Sequence, residues 1–229
     1  MTWRWWGLQT WRWILRNRAW SWWYLVRYGR FIRMRVTHRD VVVQGPVFLG
    51  KNVSLERRVG LGRIVLGRWV HLGDGTTLRC HEGTLTIGDK CVFGQGNTVN
   101  CHLEVSMGAE CIVADWVYIG DFDHRTESTA ITMRRQGLVK SPVIIGADVW
   151  LGVKATVLRG SVIGEGSVIG ANAVVRGTIP SFCVAAGAPA VVVKDRKEAE
   201  AQAEQSRIDV QDMARKAREA TSERMRRED

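Results

Sequence analysis

The stretch VIIGADVWLGVKATVLRGSVIGEGSVIGANAVV, residues 143–175, places an aliphatic side chain at every sixth position: Ile145, Leu151, Val157, Ile163, Ile169 and Val175. Four residues after each of the first five comes a small or medium residue, namely Val149, Ala155, Ser161, Ser167 and Ala173, and Gly146, Gly152, Gly164 and Gly170 directly follow four of the aliphatics. A period of six matches neither an amphipathic helix nor a long alternating strand. It suits a short strand and a turn repeated many times. Three such units make a triangular coil of about 18 residues, and stacked coils make a parallel β-helix with the aliphatics inside.

Working outward, the same inward set continues less regularly toward the N-terminus. Leu49, Leu55 and Leu61 are in step, then Leu66, Leu72 and Leu78, then Ile87, Phe93, Val99 and Val105, then Val113 and Ile119. Each change of phase requires a bulge or an enlarged corner, because the inward face must be recovered afterwards. The largest break separates Ile119 from Ile145, so a loop over 121–141 leaves the prism there. Loops on a rigid scaffold are where binding and catalytic groups collect. Beyond Val175 the repeat ends at Pro180, which cannot donate to a continuing ladder. The expected division is an arm over 1–40, a β-helix domain over 41–180, and a closing segment with a charged C-terminal helix over 181–229. In that helix Ile208 or Val210, Met213, Ala214 and Ala217 lie near helical spacing.

The arm is a different material. It holds Trp3, Trp5, Trp6, Trp11, Trp13, Trp20, Trp22 and Trp23 among many arginines, and no acidic residue precedes Asp40, so much of the net charge of +10 lies there. Its longest uncharged run, 19–26, is far shorter than the ~20 residues that span a bilayer. Three readings stay open: packing on the β-helix or a neighbouring subunit, contact with an anionic membrane surface, and single-strand nucleic-acid stacking, the last without any recognisable nucleic-acid module. Five cysteines without a secretory signal fit a reducing cytoplasm, Cys91 falls on an inward small position, and Cys80, Cys101 and Cys111 lack zinc-type spacing, so no metal site is expected.

Among five histidines, His38, His71, His81 and His102 read as surface or corner residues. His124 stands five positions after inward Ile119, where the loop departs. Counting back one coil puts Glu104 at the place equivalent to His124, about 4.8 Å away on the neighbouring strand. A carboxylate there would fix the imidazole tautomer and leave the other nitrogen as a base. Asp121, Asp123 and Glu127 compete for that orienting role.

The segments Ile119-Gly-Asp-Phe-Asp-His124, Ser141-Pro-Val-Ile-Ile-Gly-Ala-Asp-Val-Trp-Leu-Gly152 and Ala185-Ala-Gly-Ala-Pro-Ala190 resemble the hexapeptide-repeat acyltransferases over roughly residues 45–194. The resemblance implies a left-handed β-helix, an exception to the usual right-handed crossover. It also implies a homotrimer with sites between subunits, and a loop histidine, matched by His124, that deprotonates an acceptor hydroxyl for attack on acyl-coenzyme A. No permanently bound cofactor is expected, only the acyl-coenzyme A co-substrate. By the same resemblance Trp150 lines the donor groove or covers a subunit contact, and Gly152 and Gly170 let the pantetheine arm approach. Lys154, Arg159, Arg176, Lys194 and Arg196 either meet the coenzyme phosphates or belong to a scattered basic surface. Acceptor candidates are Asp121, Asp123, Asn97, Asn100, Arg134 and Arg135, and Ile131, Met133 and Leu138 are candidates for an acyl pocket. Arg125 follows His124 where the maltose-type acetyltransferases have proline, so the acceptor loop departs from theirs.

The whole-chain pattern resembles an actinobacterial branch that includes a mycobacterial octanoyltransferase of methylglucose lipopolysaccharide synthesis. That resemblance rests on Trp23-Tyr-Leu-Val-Arg-Tyr28, Leu66-Gly-Arg-Trp-Val-His-Leu-Gly-Asp-Gly75 and Ile87-Gly-Asp-Lys-Cys-Val-Phe-Gly94. It implies an octanoyl donor and a glucosylglycerate-type acceptor. The alternative within the same fold is an acetyl-coenzyme A-dependent sugar O-acetyltransferase of cell-envelope polysaccharide. The expected location is the cytoplasm, with the inner face of the membrane as the alternative if the arm meets lipid.

Overall fold

A computed structural model of the chain describes residues 12, 14–16, 20–207, 209–211 and 213. Short strands and tight corners alternate from Val42 onward and stack into three parallel sheets. One sheet runs through Gly62–Leu66, Gly83–Ile87, Glu104–Met107, Val143–Ile145 and Val162–Ile163; the second through Val47–Leu49, Val70–Leu72, Val92–Phe93, Ile112–Val113, Trp150–Leu151 and Val168–Ile169; the third through Ser54–Arg57, Thr77–Cys80, Thr98–Cys101, Tyr118–Gly120, Thr156–Val157 and Val174–Val175. Successive strands of the chain visit the three sheets in turn. That is the parallel β-helix the period of six predicts.

The inward set is the core. Leu72, Leu78, Leu151, Val157, Ile169 and Val175 are fully buried, as are Ala155, Ala173 and the hydroxyl-bearing Ser161 and Ser167. The two serines stay satisfied inside because Ser161 Oγ donates to the Val175 carbonyl (3.1 Å) and Ser167 Oγ to the Pro180 carbonyl (2.7 Å). In the late coils Trp150 pairs with Val168 and Leu151 with Ile169, so one coil is 18 residues there. Earlier coils are longer, since His71 pairs with Val92 and Val47 with Val70.

Two sequence expectations for the core fail. The ladder does not end at Pro180, since Cys183–Ala186 continues the second sheet beside Val168–Ile169, with Cys183 and Ala185 buried. Leu61 is 53% exposed, and Ile64 and Leu66 occupy the interior instead. The amides of Leu61 and Gly62 both donate to the Arg58 carbonyl, closing a turn over 58–61 in which Gly60 takes φ +81°. The turn absorbs the residues that the six-step count assigned to a wall. Cys91 is buried at its expected inward position.

The expected loop leaves and returns where the period breaks, as an antiparallel hairpin of Phe122–His124 with Leu138–Lys140 capped by a helical turn, Met133–Gln136. Preceding the β-helix, the helix Trp22–Thr37 lies against strand Val47–Leu49. Its inner face carries Tyr24, Tyr28 and buried Met34; Tyr24 and Tyr28 meet Phe48 edge-on with ring centroids 5.2 and 5.5 Å apart. The arm therefore packs on the prism through Tyr24, Tyr28 and one face of Trp23, which stacks on His71 (6.5 Å between centroids), while Trp20 and Trp22 are exposed. Trp3, Trp5, Trp6, Trp11 and Trp13 lie outside the described residues. The chain divides into two compact units, 1–193 and 194–229. In the second, a helix covers 196–207 and continues over described residues to 213, with Val210 and Met213 exposed; Ile208, Ala214 and Ala217 lie outside the described residues. Among the described residues no helix is long and apolar enough to cross a membrane.

Candidate functional site

The hairpin is anchored at its root by a buried carboxylate. Asp121 is 0% exposed, and its oxygens accept the backbone N–H groups of His102, Leu103 and Glu104 at 2.8, 2.7 and 2.8 Å. Such charge-assisted bonds are stronger than neutral ones, and they lock the corner of the preceding coil to the start of the hairpin. The Ser141 amide donates to the Asp121 carbonyl (2.9 Å), so the two ends of the excursion meet. Asp121 is thereby corrected from an acceptor contact to a structural anchor, because neither oxygen is left for a ligand.

Three further contacts hold the hairpin. Phe122 sets its ring edge-on against His102 (centroids 4.2 Å), Lys140 on the opposite strand pairs with Glu82 (2.5 Å), and Asp123 accepts from Arg159 Nε (2.7 Å). His102 in turn stacks on His81 of the coil below, 4.5 Å between centroids and 19° between planes. Burial, then the neighbouring His81 and Lys140, hold the His102 pKa below the ordinary imidazole value, with Asp121 and Glu82 opposing. His102 Nδ1 is buried without a hydrogen-bond partner, as is Asn100 Oδ1 two residues before it. The stack follows from register: Cys80 pairs with Cys101 on adjacent strands, so His81 and His102 leave the same corner. A repeated Cys-His dipeptide 21 residues apart was the signal in the sequence; reading the histidines singly hid it.

His124 is the third residue of the hairpin strand, exposed, opposite Leu138. Its imidazole makes no hydrogen bond among the described residues. Glu104 is not stacked beneath it, contrary to the frame count. Ile119 does pair with Val99, but the chain then leaves the prism, and it is Val143 that pairs with Val105. Glu104 pairs with Thr84 below, its side chain is exposed, and no hydrogen bond or ion pair joins it to His124 among the described residues. Of the other orienting candidates, Asp123 is committed to Arg159 and Glu127 approaches Arg125 at 3.6 Å.

The remaining candidates separate. Asn97 is 1% exposed and works inside the ladder: its amide donates to the Gly94 carbonyl (2.9 Å) and its oxygen accepts from the Val117 amide (2.8 Å), which corrects its assignment to the acceptor. Arg134 and Arg135 are exposed on the helical turn at the hairpin tip, and Ile131 and Met133 beside them are 47% and 62% exposed. Trp150 is 50% exposed in an outward row of the second sheet, Val92–Ile112–Trp150–Val168, whose members are register partners. Gly152 has a reason within the fold, since a Cβ there would lie 2.7 Å from the Ala171 amide nitrogen of the next coil. A Cβ at Gly170 would come no closer than 3.1 Å to the Ala186 Cβ. Arg159, expected near coenzyme phosphates, instead grips the hairpin. Lys154 is exposed at a corner with φ 57°, and Lys194 opens the second compact unit. All five cysteines are buried and unpaired, and among the described residues no three His, Cys, Asp or Glu side chains converge as a metal site would require.

The stacked coils of six-residue repeats give the chain the architecture of a hexapeptide-repeat parallel β-helix, and residues 142–177 match the family model described as bacterial transferase hexapeptide (six repeats). The chain is 48% identical over 186 residues to the probable acetyltransferase Rv3034c of Mycobacterium tuberculosis, covering 81% of this chain and 62% of that protein. It is 42% identical over 97 residues to the putative lipopolysaccharide biosynthesis O-acetyl transferase WbbJ of Escherichia coli, covering 39% of this chain and 50% of that protein. The chain thus spans less than two thirds of the length of these relatives. In fold it is similar to AntD, an N-acyltransferase from Bacillus cereus in complex with dTDP and 3-hydroxybutyryl-CoA, with a TM-score of 0.62, 18% identity, and coverage of 79% of this chain and 96% of that one.

Proposed function

We propose that the protein is an acyl-coenzyme A-dependent O-acyltransferase acting on a hydroxyl of a sugar-type acceptor, with His124 as general base. The observation that carries this reading is the hairpin over 122–140 that interrupts the coils, clamped at its root and presenting His124 unpaired on its surface. A probable acetyltransferase and a putative lipopolysaccharide biosynthesis O-acetyl transferase among the relatives agree with it. His124 takes the acceptor proton as the hydroxyl oxygen attacks the thioester carbonyl; the carbon–sulfur bond then breaks, and the imidazolium returns the proton to the departing coenzyme A thiolate. Backbone N–H groups at the coil corners suit the developing oxyanion. Attack is direct rather than through a thiol acyl-enzyme, because every cysteine is buried. Acyl-coenzyme A is a co-substrate in this scheme, and no permanent cofactor takes part.

The relatives' names favour acetyl as the transferred group. Exposed Ile131 and Met133 near the hairpin tip, with half-buried Leu138, supply the apolar contact that an octanoyl chain would need, so octanoyl is the competing donor. The acceptor contacts proposed are Arg134, Arg135, Asp123 and Asn100, and the arginines suit an acceptor carrying a carboxylate, such as a glucosylglycerate. A homotrimer is proposed from the outward apolar row Val92–Ile112–Trp150, which buries a sheet face between copies and leaves Trp150 either there or in the donor groove beside Gly170. Lys154 is the proposed coenzyme phosphate contact on the coils. Five reduced, buried thiols fit a cytoplasmic setting.

The test is release of coenzyme A thiol from acetyl- and octanoyl-coenzyme A across a panel of glucosides and glucosylglycerate. Acceptor-dependent release with one donor strongly preferred is expected. Its absence with every pair would sink the transferase reading.

A further inference from the structure

We propose that the outer face of the helix Trp22–Thr37, together with the basic groove behind it, docks the protein on an anionic lipid bilayer. The helix has two faces of different fate. Tyr24, Tyr28 and Met34 turn toward the prism, whereas Trp22, Leu25, Ile32 and Val36 are 79%, 50%, 64% and 60% exposed. With exposed Gly29 these fall at steps of three and four residues, so they form one continuous stripe along the helix. An apolar stripe of this length on a surface helix marks a contact site.

Charge decides what covers it. Residues 1–39 contain nine arginines and no acidic residue. Among the described ones, Arg12, Arg16, Arg33 and Arg39 are exposed. Beside the stripe, between the helix and the first coil, opens a groove of about 570 Å³ lined by Arg30, Arg33, His38 and Lys51 with no carboxylate. Arg30 also reaches the Leu49 carbonyl at 3.2 Å, which fixes one wall of the groove. A second copy of the helix would bring like charges together. A nucleic-acid strand would find aliphatic side chains rather than stacking rings along most of the stripe. An anionic bilayer satisfies both parts at once: the stripe enters the headgroup boundary and the cations meet lipid phosphates. The indoles of Trp20 and Trp22 suit that boundary, and the helix, which cannot span, lies in the plane of the surface.

The experiment is co-flotation of the full chain with vesicles of phosphatidylglycerol and phosphatidylcholine against vesicles of phosphatidylcholine alone. Binding to the anionic vesicles, weakened by salt and at least about tenfold weaker on neutral ones, is expected. The triple variant Leu25→Asp, Ile32→Asp, Val36→Asp should reduce the bound fraction about tenfold or more while its circular dichroism and its turnover of soluble substrates stay unchanged. Those side chains are exposed and far from the hairpin in sequence, so the fold does not depend on them. Arg33→Glu with Lys51→Glu should remove the preference for anionic lipid. The proposal is overturned if the chain does not float with anionic vesicles, if the triple variant floats as well as the wild type, or if the variant instead loses self-association or binding to single-stranded DNA.

Discussion

The coils over 143–180 and the excursion over 121–141 are adjacent in the chain and opposite in construction. In the coils every inward residue repeats its neighbour's environment one turn away, and even inward serines find a carbonyl. In the excursion almost every contact is unique: one carboxylate on three amides, one ring on one imidazole, one lysine on one glutamate. Redundancy makes the coils a stable wall, and uniqueness makes the hairpin a place where a single side chain can matter to chemistry. The difference separates the part whose repeated packing carries stability from the part proposed to carry the chemistry, so the two can be tested independently.

His124→Ala should break the comparison most sharply. Turnover is expected to fall by about 100- to 10,000-fold with unchanged thermal unfolding and unchanged oligomeric mass by light scattering; near-normal rates would remove His124 as the base. In the wall, Leu151→Ala leaves a cavity at a fully buried site and should cost about 2–5 kcal/mol in denaturant unfolding, while the specific activity of the folded fraction is retained. Asp121→Ala sits on the boundary and should do both. Three amides lose their acceptor, for about 3 kcal/mol or more, and the hairpin loses its anchor, so urea midpoint and turnover fall together; Asp121→Asn restores part of each. Lys140→Ala removes a solvent-screened ion pair with Glu82 that adds little to stability, yet it frees one strand of the hairpin, and an about tenfold drop in kcat with little change in unfolding is expected.

The smallest effect concerns the helix. Burial, then the Arg27 charge, lower the pKa of His71 to about 4 where it packs against Trp23, Tyr24 and Phe48. Undocked, the imidazole would titrate near its ordinary 6.5 and take up its proton first. Docking is therefore fully supported above about pH 6.5 and is lost progressively as pH falls toward 4. Tryptophan fluorescence across that range should report the release, and His71→Leu should flatten the response.

The period of six made the prism legible, including its inward set over 145–175 and the residues where the hairpin departs. It failed where a local feature consumed residues that a count assigns to walls. The turn over 58–61 displaced Leu61, and the hairpin put Val143 rather than a continuation of Ile119 above Val105, which removed Glu104 from its place under His124. Periodicity also cannot distinguish a polar side chain that faces a ligand from one that satisfies the ladder, as Asn97 and Asp121 do. The His81–His102 stack was present in the sequence only as a repeat across one coil.

The meeting of Asp121 and Ser141 in one backbone hydrogen bond has an evolutionary corollary. An excursion whose ends already touch can lengthen at little entropic cost, since closure entropy grows only logarithmically with loop length. The segment 122–140 is thus an exchangeable cassette: a hairpin of different length and sequence, ligated between the same two residues, would leave the stack of coils folding as before, and a change of acceptor on such an exchange would support the proposed site.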